Sequence, residues 1–244
     1  MCVSDFIFNG KSNDDFDIKV LDIQADIFAG MKHKILDAPG RAIQHLFPQK
    51  PAGRRIVVEC IIEKSSLTDL SSKALDIAAW LAQDDWKKLV LHTVPGKHFM
   101  AVLVEPVDTR QILLSKQFTI TFEAHPFVYG DIVTTAFVDD TAVVINEGVY
   151  PSPVIIEATF VAPSADIKVA WGTKLIRITN NFIVNDVLKI DTNTGAVLIN
   201  GQRAMDKLDW QNSIFFELTN GSNTLYITPR GKCTAAIKHI PRWL

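Results

Sequence analysis

The stretch Asn146 to Pro153, reading Asn-Glu-Gly-Val-Tyr-Pro-Ser-Pro, constrains this chain more than any other. Pro151 and Pro153 lack a backbone donor and fix φ, and each pushes the residue before it, Tyr150 or Ser152, towards extended backbone. Gly148 adds a freely turning residue just upstream. A segment built this way suits neither a helix nor a central strand, so it is expected to cross between packed units. Ahead of it, strand patterns mix with one good helix; behind it, almost every periodic segment reads as strand. The expected organisation is an N-terminal domain over residues 1–145, a seam at 146–153 and a C-terminal domain over 154–244.

Size and charge agree with a self-sufficient globular protein. A chain of 244 residues fits one large domain or two of ordinary size, with two favoured, and buries roughly 70% of its unfolded surface without a metal or disulfide staple. A formal net charge of −2 argues against a protein that neutralises many phosphates, although a ring through which nucleic acid passes needs no such charge. Cys2, Cys60 and Cys233 are odd in number and far apart, which suits reduced thiols in a cytoplasm. The opening Met-Cys-Val-Ser-Asp-Phe has neither a basic region nor an apolar core, so no signal peptide is read. No apolar run is long enough to span a bilayer.

In the first half, Phe6-Ile7-Phe8 ends at the turn pair Asn9-Gly10. Phe16, Ile18 and Val20 alternate with Asp17 and Lys19; the apolar parity then slips to Leu21, Ile23, Ala25 and Ile27, which predicts a bulge or break near Val20-Leu21. Gly30 to Gly53 shows no sustained period, carries several prolines and is locally basic. It reads either as a solvated loop or as an arm contacting another subunit. Ile56 to Ile62 reads as a buried strand. Ser66 and Asp69 resemble a capping box, and Leu67, Leu70, Ala74, Ile77, Ala78 and Leu81 then keep helical spacing to about Asp84. Trp80 and Trp86 extend that packing or face a partner. Pro95-Gly96 sits between two strand runs as a hairpin turn, and Phe118 to Ala124 alternates cleanly up to His125-Pro126. The first half is a β-rich α+β domain with one helix.

In the second half, short strand candidates run from Val154 to Val161, Ile167 to Trp171, Leu175 to Thr179, Val187 to Ile190, Ala196 to Ile199, Ile214 to Leu218, Thr224 to Ile227 and Cys233 to Ile237. Turn pairs such as Asn200-Gly201 and Asn220-Gly221 punctuate them, a pattern of a sandwich or jelly roll.

Catalytic chemistry has no foothold in these patterns. His33, His45, His92, His98, His125 and His239 are scattered, and Cys233 and His239 lack a second pair at zinc-ligand spacing. There is no nucleophile elbow, phosphate loop or dinucleotide fingerprint. Asp84-Asp85 and Asp139-Asp140 read as solvated end caps, and Asp191 to Gly195 as a β-turn without the full calcium-loop pattern. The expectation is no enzyme, no catalytic or metal site and no cofactor. A sugar-binding module remains an alternative, with Trp171 and Trp210 as candidate platforms.

Taken in order, these features resemble the distal tail protein (Dit) family of siphophages infecting Gram-positive bacteria. The resemblance is carried by Phe6 to Gly10 followed by Phe16-Asp17-Ile18, and by the helix ending in Ala79-Trp80-Leu81. It continues in Phe118 to Glu123 closing on Pro126 to Tyr129, in Asn146-Glu147-Gly148 with Pro151-Ser152-Pro153, in Asp191 before its Thr-Gly turn, and in Leu218 to Asn223. It implies an N-terminal domain that forms a hexameric ring continuing the tail tube, and a C-terminal galectin-like β-sandwich. Implied partners are the tail tube protein, the tail-associated protein, the tape-measure protein and receptor-binding or baseplate proteins, with DNA only passing through and no stable membrane insertion. Such a protein is made in the host cytoplasm and resides at the tail tip of the virion. The second half is large enough only for the bare sandwich, without the carbohydrate-binding insertion of some relatives.

Overall fold

A computed structural model describes residues 5–26, 29–31, 34–36, 45–47, 51–62, 67–105, 112 and 115–244. It is mainly β and divides into two compact units, one reaching Tyr129 and one running from Gly130 to Trp243.

The first unit is an antiparallel sheet with a helix on one face. Its strands are β1 (Phe6–Phe8), β2 (Lys11–Ser12), β3 (Ile18–Ala25), β4 (Lys34–Leu36), β5 (His45–Phe47), β6 (Arg54–Ile62), β7 (Lys87–Leu91), β8 (His98–Leu103) and β9 (Gln117–Tyr129); helix α1 is Leu67–Leu81. The sheet order is β2-β1-β7-β8-β9-β6-β3, and β4 pairs with β5 as a separate ribbon. Asn9 and Gly10 both take positive φ, 49° and 78°, so β1 and β2 are joined by the two-residue turn whose twist matches a hairpin. The predicted slip in β3 is present: Val20 pairs with Cys60 and Asp22 with Glu59, which leaves Leu21 as the extra residue of a bulge.

Helix α1 turns Leu70, Ala74, Ile77 and Leu81 into the core at intervals of three and four residues, while Ala78 faces solvent. Trp80 is buried as well. Its indole stacks on Phe6 at 5.6 Å and on Phe16 at 4.4 Å, and its N–H donates to the Phe8 carbonyl over 2.8 Å. One side chain thus fixes the helix to β1 and to the turn after β2. That turn, a short 3-10 segment over Asn13–Phe16, carries a complete capping box from Ser12 and Asp15. Phe16 therefore lies outside β3. The capping box expected at Ser66 lies outside the described residues.

Two expectations about the first half change. Within residues 30–53 the described stretches are paired and not plain loop: Lys34, Ile35 and Leu36 pair with Phe47, Leu46 and His45, and Met31 bridges to Pro51. Three-residue strands are too short for alternation to appear in the sequence. Strand β9 also continues through Pro126 instead of ending there. Phe99 pairs with Val128 and Ala101 with Ala124, so Met100 faces three residues of β9 and the missing N–H of Pro126 falls within that irregularity.

The second unit is a two-sheet sandwich. Its strands are β10 (Val133–Ala136), β11 (Thr141–Asn146), β12 (Ser152–Phe160), β13 (Ser164–Trp171), β14 (Lys174–Phe182), β15 (Val187–Asp191), β16 (Ala196–Ile199), β17 (Gln202–Arg203), β18 (Glu217–Leu218), β19 (Gly221–Thr228) and β20 (Cys233–His239); the short β21 (Arg242–Trp243) lies in neither sheet of the sandwich. One sheet is ordered β10-β20-β12-β15-β16-β17, with β18 on the end of β12; the other is ordered β11-β19-β13-β14. Inward residues of both sheets, among them Val144, Ile156, Phe160, Ile178, Phe182 and Ile237, form one core. Ile214 and Phe215 are not in a strand; only Glu217–Leu218 of that predicted segment pairs.

The seam expected at 146–153 is corrected. Residues 133–146 supply an edge strand to each sheet of the sandwich, and Val144 shares its core with Val154 and Ile156. The stretch from Asn146 lies wholly inside the second unit. Gly148 is there for close approach: a Cβ on it would lie 2.6 Å from the Arg242 carbonyl oxygen and closer still to the Arg242 nitrogen. Pro153 is tolerated because it stands at the start of β12, opposite Glu217 of the two-residue β18. Asn146 is fully buried; its amide donates to the Leu218 carbonyl at 3.2 Å and accepts from the Gly148 N–H at 3.1 Å.

Replacing Gly148 with alanine forces β21 away from this turn. The expected cost to the second unit is about 3 kcal/mol by overpacking. Gly201→Ala, where nothing lies within 4 Å, carries only the cost of its positive φ, about 1 kcal/mol. Urea denaturation of the two variants reads the difference; equal losses would refute the close-approach role.

Candidate functional site

Among the described residues the histidines, cysteines and carboxylates do not converge. Cys233 and His239 lie six residues apart on one face of β20, about 20 Å along the strand, too far to share a metal. Burial pushes the Cys60 thiol up to about 12 and the Cys233 thiol up to about 11, so both are poor nucleophiles. Among the described residues no three His, Cys, Asp or Glu side chains are placed to hold a metal ion. Asp139 and Asp140 are the two positive-φ residues of the turn between Val138 and Thr141, and Asp140 accepts from the Gly231 N–H at 2.9 Å. Asp85 accepts from the Trp86 N–H, and Asp191 accepts from the N–H groups of Asn193 and Thr194. All these carboxylates act as turn caps. Among the described residues no helix is long and apolar enough to cross a membrane.

What the fold does display is surface. On the outer side of β8 and β9, Trp86 packs against His125 at 4.3 Å, His125 Nδ1 meets the Tyr129 hydroxyl at 3.0 Å, and Tyr129 stacks on His98 at 5.9 Å. Trp86 remains 37% exposed, and burial lowers the His125 pKa, which favours its neutral ring. An open cleft of about 350 Å³ has Phe16 and Trp80 in its lining with Lys11, Asp15 and Asp76. Arg54 is buried at the start of β6 and donates to the carbonyls of Pro126 and Asp26, both at 2.9 Å.

In the second unit the two candidate tryptophans separate. Trp171 packs against Phe216 at 5.5 Å on the margin of the core. Trp210 is 65% exposed, in a turn where Asn212 donates to the Asp209 carboxylate and holds it below the usual carboxylate range, with Arg177 at 3.7 Å adding to the effect. A second exposed surface follows the edge strand β11, where Val143 and Ile145 point outward at 56% and 62% exposure beside Tyr226 of β19. Strand β11 carries no strand signal in the sequence, because its outward valine and isoleucine and its inward alanine and valine show no polar alternation.

Comparison with known proteins matches this architecture. A family model described as the siphovirus-type tail component, C-terminal domain, matches residues 147–243, and one described as the phage tail protein RIFT-related domain matches residues 19–124. The fold is similar to that of the SPP1 Dit protein, described as a paradigm of the hub adsorption apparatus in phages infecting Gram-positive bacteria. The TM-score is 0.82 at 15% identity, over 99% of this chain and 100% of that chain. A chain of the phage p2 baseplate in its activated conformation, with strontium and again with calcium, gives a TM-score of 0.56 at 9% identity over 97% of this chain and 98% of that chain. No curated protein matches in sequence.

His239 closes the second core with 2% exposure. Among the described residues neither ring nitrogen has a hydrogen-bond partner of good geometry. Burial lowers its pKa from the ordinary 6.5, and the Ile145 main chain opposes this only in part. The folded protein therefore holds a neutral ring. As pH falls through 6.5 the unfolded chain takes up a proton that the folded chain refuses, so stability is lost from there down to the lowered folded pKa. Denaturation of the second unit at pH 7 and pH 5 is expected to show this loss, and His239→Leu to remove most of it. An unchanged slope in the variant would place the acid sensitivity elsewhere.

Proposed function

Because the chain belongs to the siphophage distal tail protein family, we propose that it is a structural hub. Six copies form a ring at the distal end of the tail tube, and the ring joins that tube to the tail-tip or baseplate proteins. The observation that carries this reading is the tiling of the chain by two tail-protein models, 19–124 and 147–243, in one order and over a fold shared end to end with a hub protein. The first unit forms the ring. Among the described residues β3 pairs only with β6 and β4 only with β5, and these edges meet neighbouring copies. The channel passes the tape-measure protein and DNA, and the second unit meets receptor-binding or baseplate proteins. Assembly takes place in the host cytoplasm and the product resides in the virion. The role is architectural, without catalysis or cofactor.

A second reading, host attachment through sugar, is favoured by one observation: Trp210 presents an exposed aromatic face beside Asp209 and Asn212.

Native mass measurement of the purified chain, alone and with its neighbouring tail proteins, is expected to give a six-fold species with a central hole in negative-stain images. A chain that stays monomeric and joins no tail protein would sink the hub reading. For the sugar reading, a screen of cell-wall glycans is expected to give binding that falls at least tenfold in Trp210→Ala; silence across the screen would end it.

A further inference from the structure

Trp210 stands on a turn that the fold holds firmly. Residues 209–214 run along the outer edge of β14, where Asp209 and Ile214 donate to the carbonyls of Arg177 and Leu175 at 3.0 and 2.8 Å. Ser213 accepts from the Arg177 N–H at 2.9 Å, and Asn212 donates to the two oxygens of Asp209 at 3.1 and 2.9 Å. An indole that is 65% exposed therefore sits on a bonded frame. The backbone beneath it has already lost the freedom that ordering a loose loop on binding would cost.

The charges around Trp210 cancel. On the outer face of β13 and β14, one oxygen of Asp166 accepts from the Arg177 Nε at 3.0 Å and lies 2.9 Å from a terminal nitrogen of the same guanidinium. Lys168 reaches that oxygen at 4.0 Å, and the other terminal nitrogen of Arg177 lies 3.7 Å from Asp209. In the short segment before Trp210, Lys207 pairs with Asp206 at 3.0 Å. Lys168, Arg177 and Lys207 are thus matched by Asp166, Asp206 and Asp209. Each cation that a phosphate or carboxylate could seek already has a carboxylate beside it.

That balance selects the ligand. A pyranose lays its C–H face on an indole, and its hydroxyls donate and accept at once. Next to Trp210, Asp209 can accept and Arg177 can donate, and their mutual contact keeps both in place. An anionic glycan approaching Arg177 meets Asp209 as well, and like charges set side by side repel. We infer that the Trp210 surface takes a neutral saccharide and rejects anionic cell-wall polymers such as glycerol-phosphate chains, with the matched ion pairs as the filter. This deepens the sugar reading and rests on it: it names the chemical class that the same surface accepts.

The test titrates the full chain by calorimetry with two sets of probes. One set holds neutral oligosaccharides of glucose, galactose and rhamnose; the other holds oligomers of glycerol phosphate and of galacturonic acid. Neutral probes are expected to bind at least tenfold more tightly than anionic ones, and Trp210→Ala to weaken them at least tenfold. Asp209→Asn uncovers Arg177, so it is expected to weaken neutral binding and to raise anionic binding about threefold. A carboxylate that served only the turn would not move that preference. Asp206→Asn uncovers Lys207 in the same way and gives the same readout should Asp209→Asn fail to fold. Preference for the anionic set, neutral binding that survives Trp210→Ala, or an unchanged preference in the asparagine variants would each overturn the inference while sugar binding itself stands. Silence across both sets ends the sugar reading and the inference with it.

Discussion

The second unit depends on the contact between Gly148 and the backbone of Arg242. At that point two chain segments approach so closely that a single methyl group cannot be placed between them. Around it the remaining bonds follow: the Tyr150 N–H donates to the Arg242 carbonyl, the Arg242 guanidinium reaches the Pro151 carbonyl and the Glu217 carboxylate, and Asn220 donates to the Gly148 carbonyl. Asn146, Ser152 and Asn223 are buried beside these turns, and every hydrogen bond they make is to another part of the same node. Buried amides are tolerated there because their partners are main-chain groups that would otherwise go unbonded. Three strands of the sandwich, β11, β12 and β19, begin or end at this node, so it sets their relative register.

The first unit uses a different kind of pin. Trp80 presents two ring faces and one N–H, and all three are occupied, by Phe6, Phe16 and the Phe8 carbonyl. Arg54 plays the corresponding polar part at the other end of the sheet. Its charge is buried, yet it donates to two carbonyls and lies over the Phe99 ring. In both units the strongly specified contacts are made by a side chain that meets main chain from a distant strand. Such contacts hold a sheet in register without placing reactive groups together.

Much of this was legible in the sequence wherever period and turn chemistry were strong. The bulge beside Leu21 follows from one slip in parity, and α1 from apolar residues three and four apart. The hairpins at Asn9-Gly10 and Asn200-Gly201 follow from residues that accept positive φ. The boundary between the units was not legible, for a specific reason. Gly148, Pro151 and Pro153 are the residues expected of a linker, but glycine also serves where backbones touch, and proline also serves at the first residues of a strand. Sequence alone does not separate those uses, because the difference lies in Arg242, more than ninety positions away. Strand β11 was missed for the converse reason: its outward positions are as apolar as its inward ones.

That last failure carries the physical content of the molecule. Where a protein works on a substrate, some titratable group is usually held poised to react. Here the shifts run towards inertness: the two described thiols are raised, His125 and His239 are held neutral, and the shifted carboxylates Asp186, Asp206 and Asp209 all move down through hydrogen bonds to their neighbours. A carboxylate lowered in this way is a firmer acceptor and a worse acid. The departures from ordinary sequence rules lie instead on surfaces, in an edge strand without charge and an aromatic row left half open. Both are costly in an isolated monomer and favourable in an assembly that covers them. Each lies on the surface of its own unit, where packing against another protein would cover it.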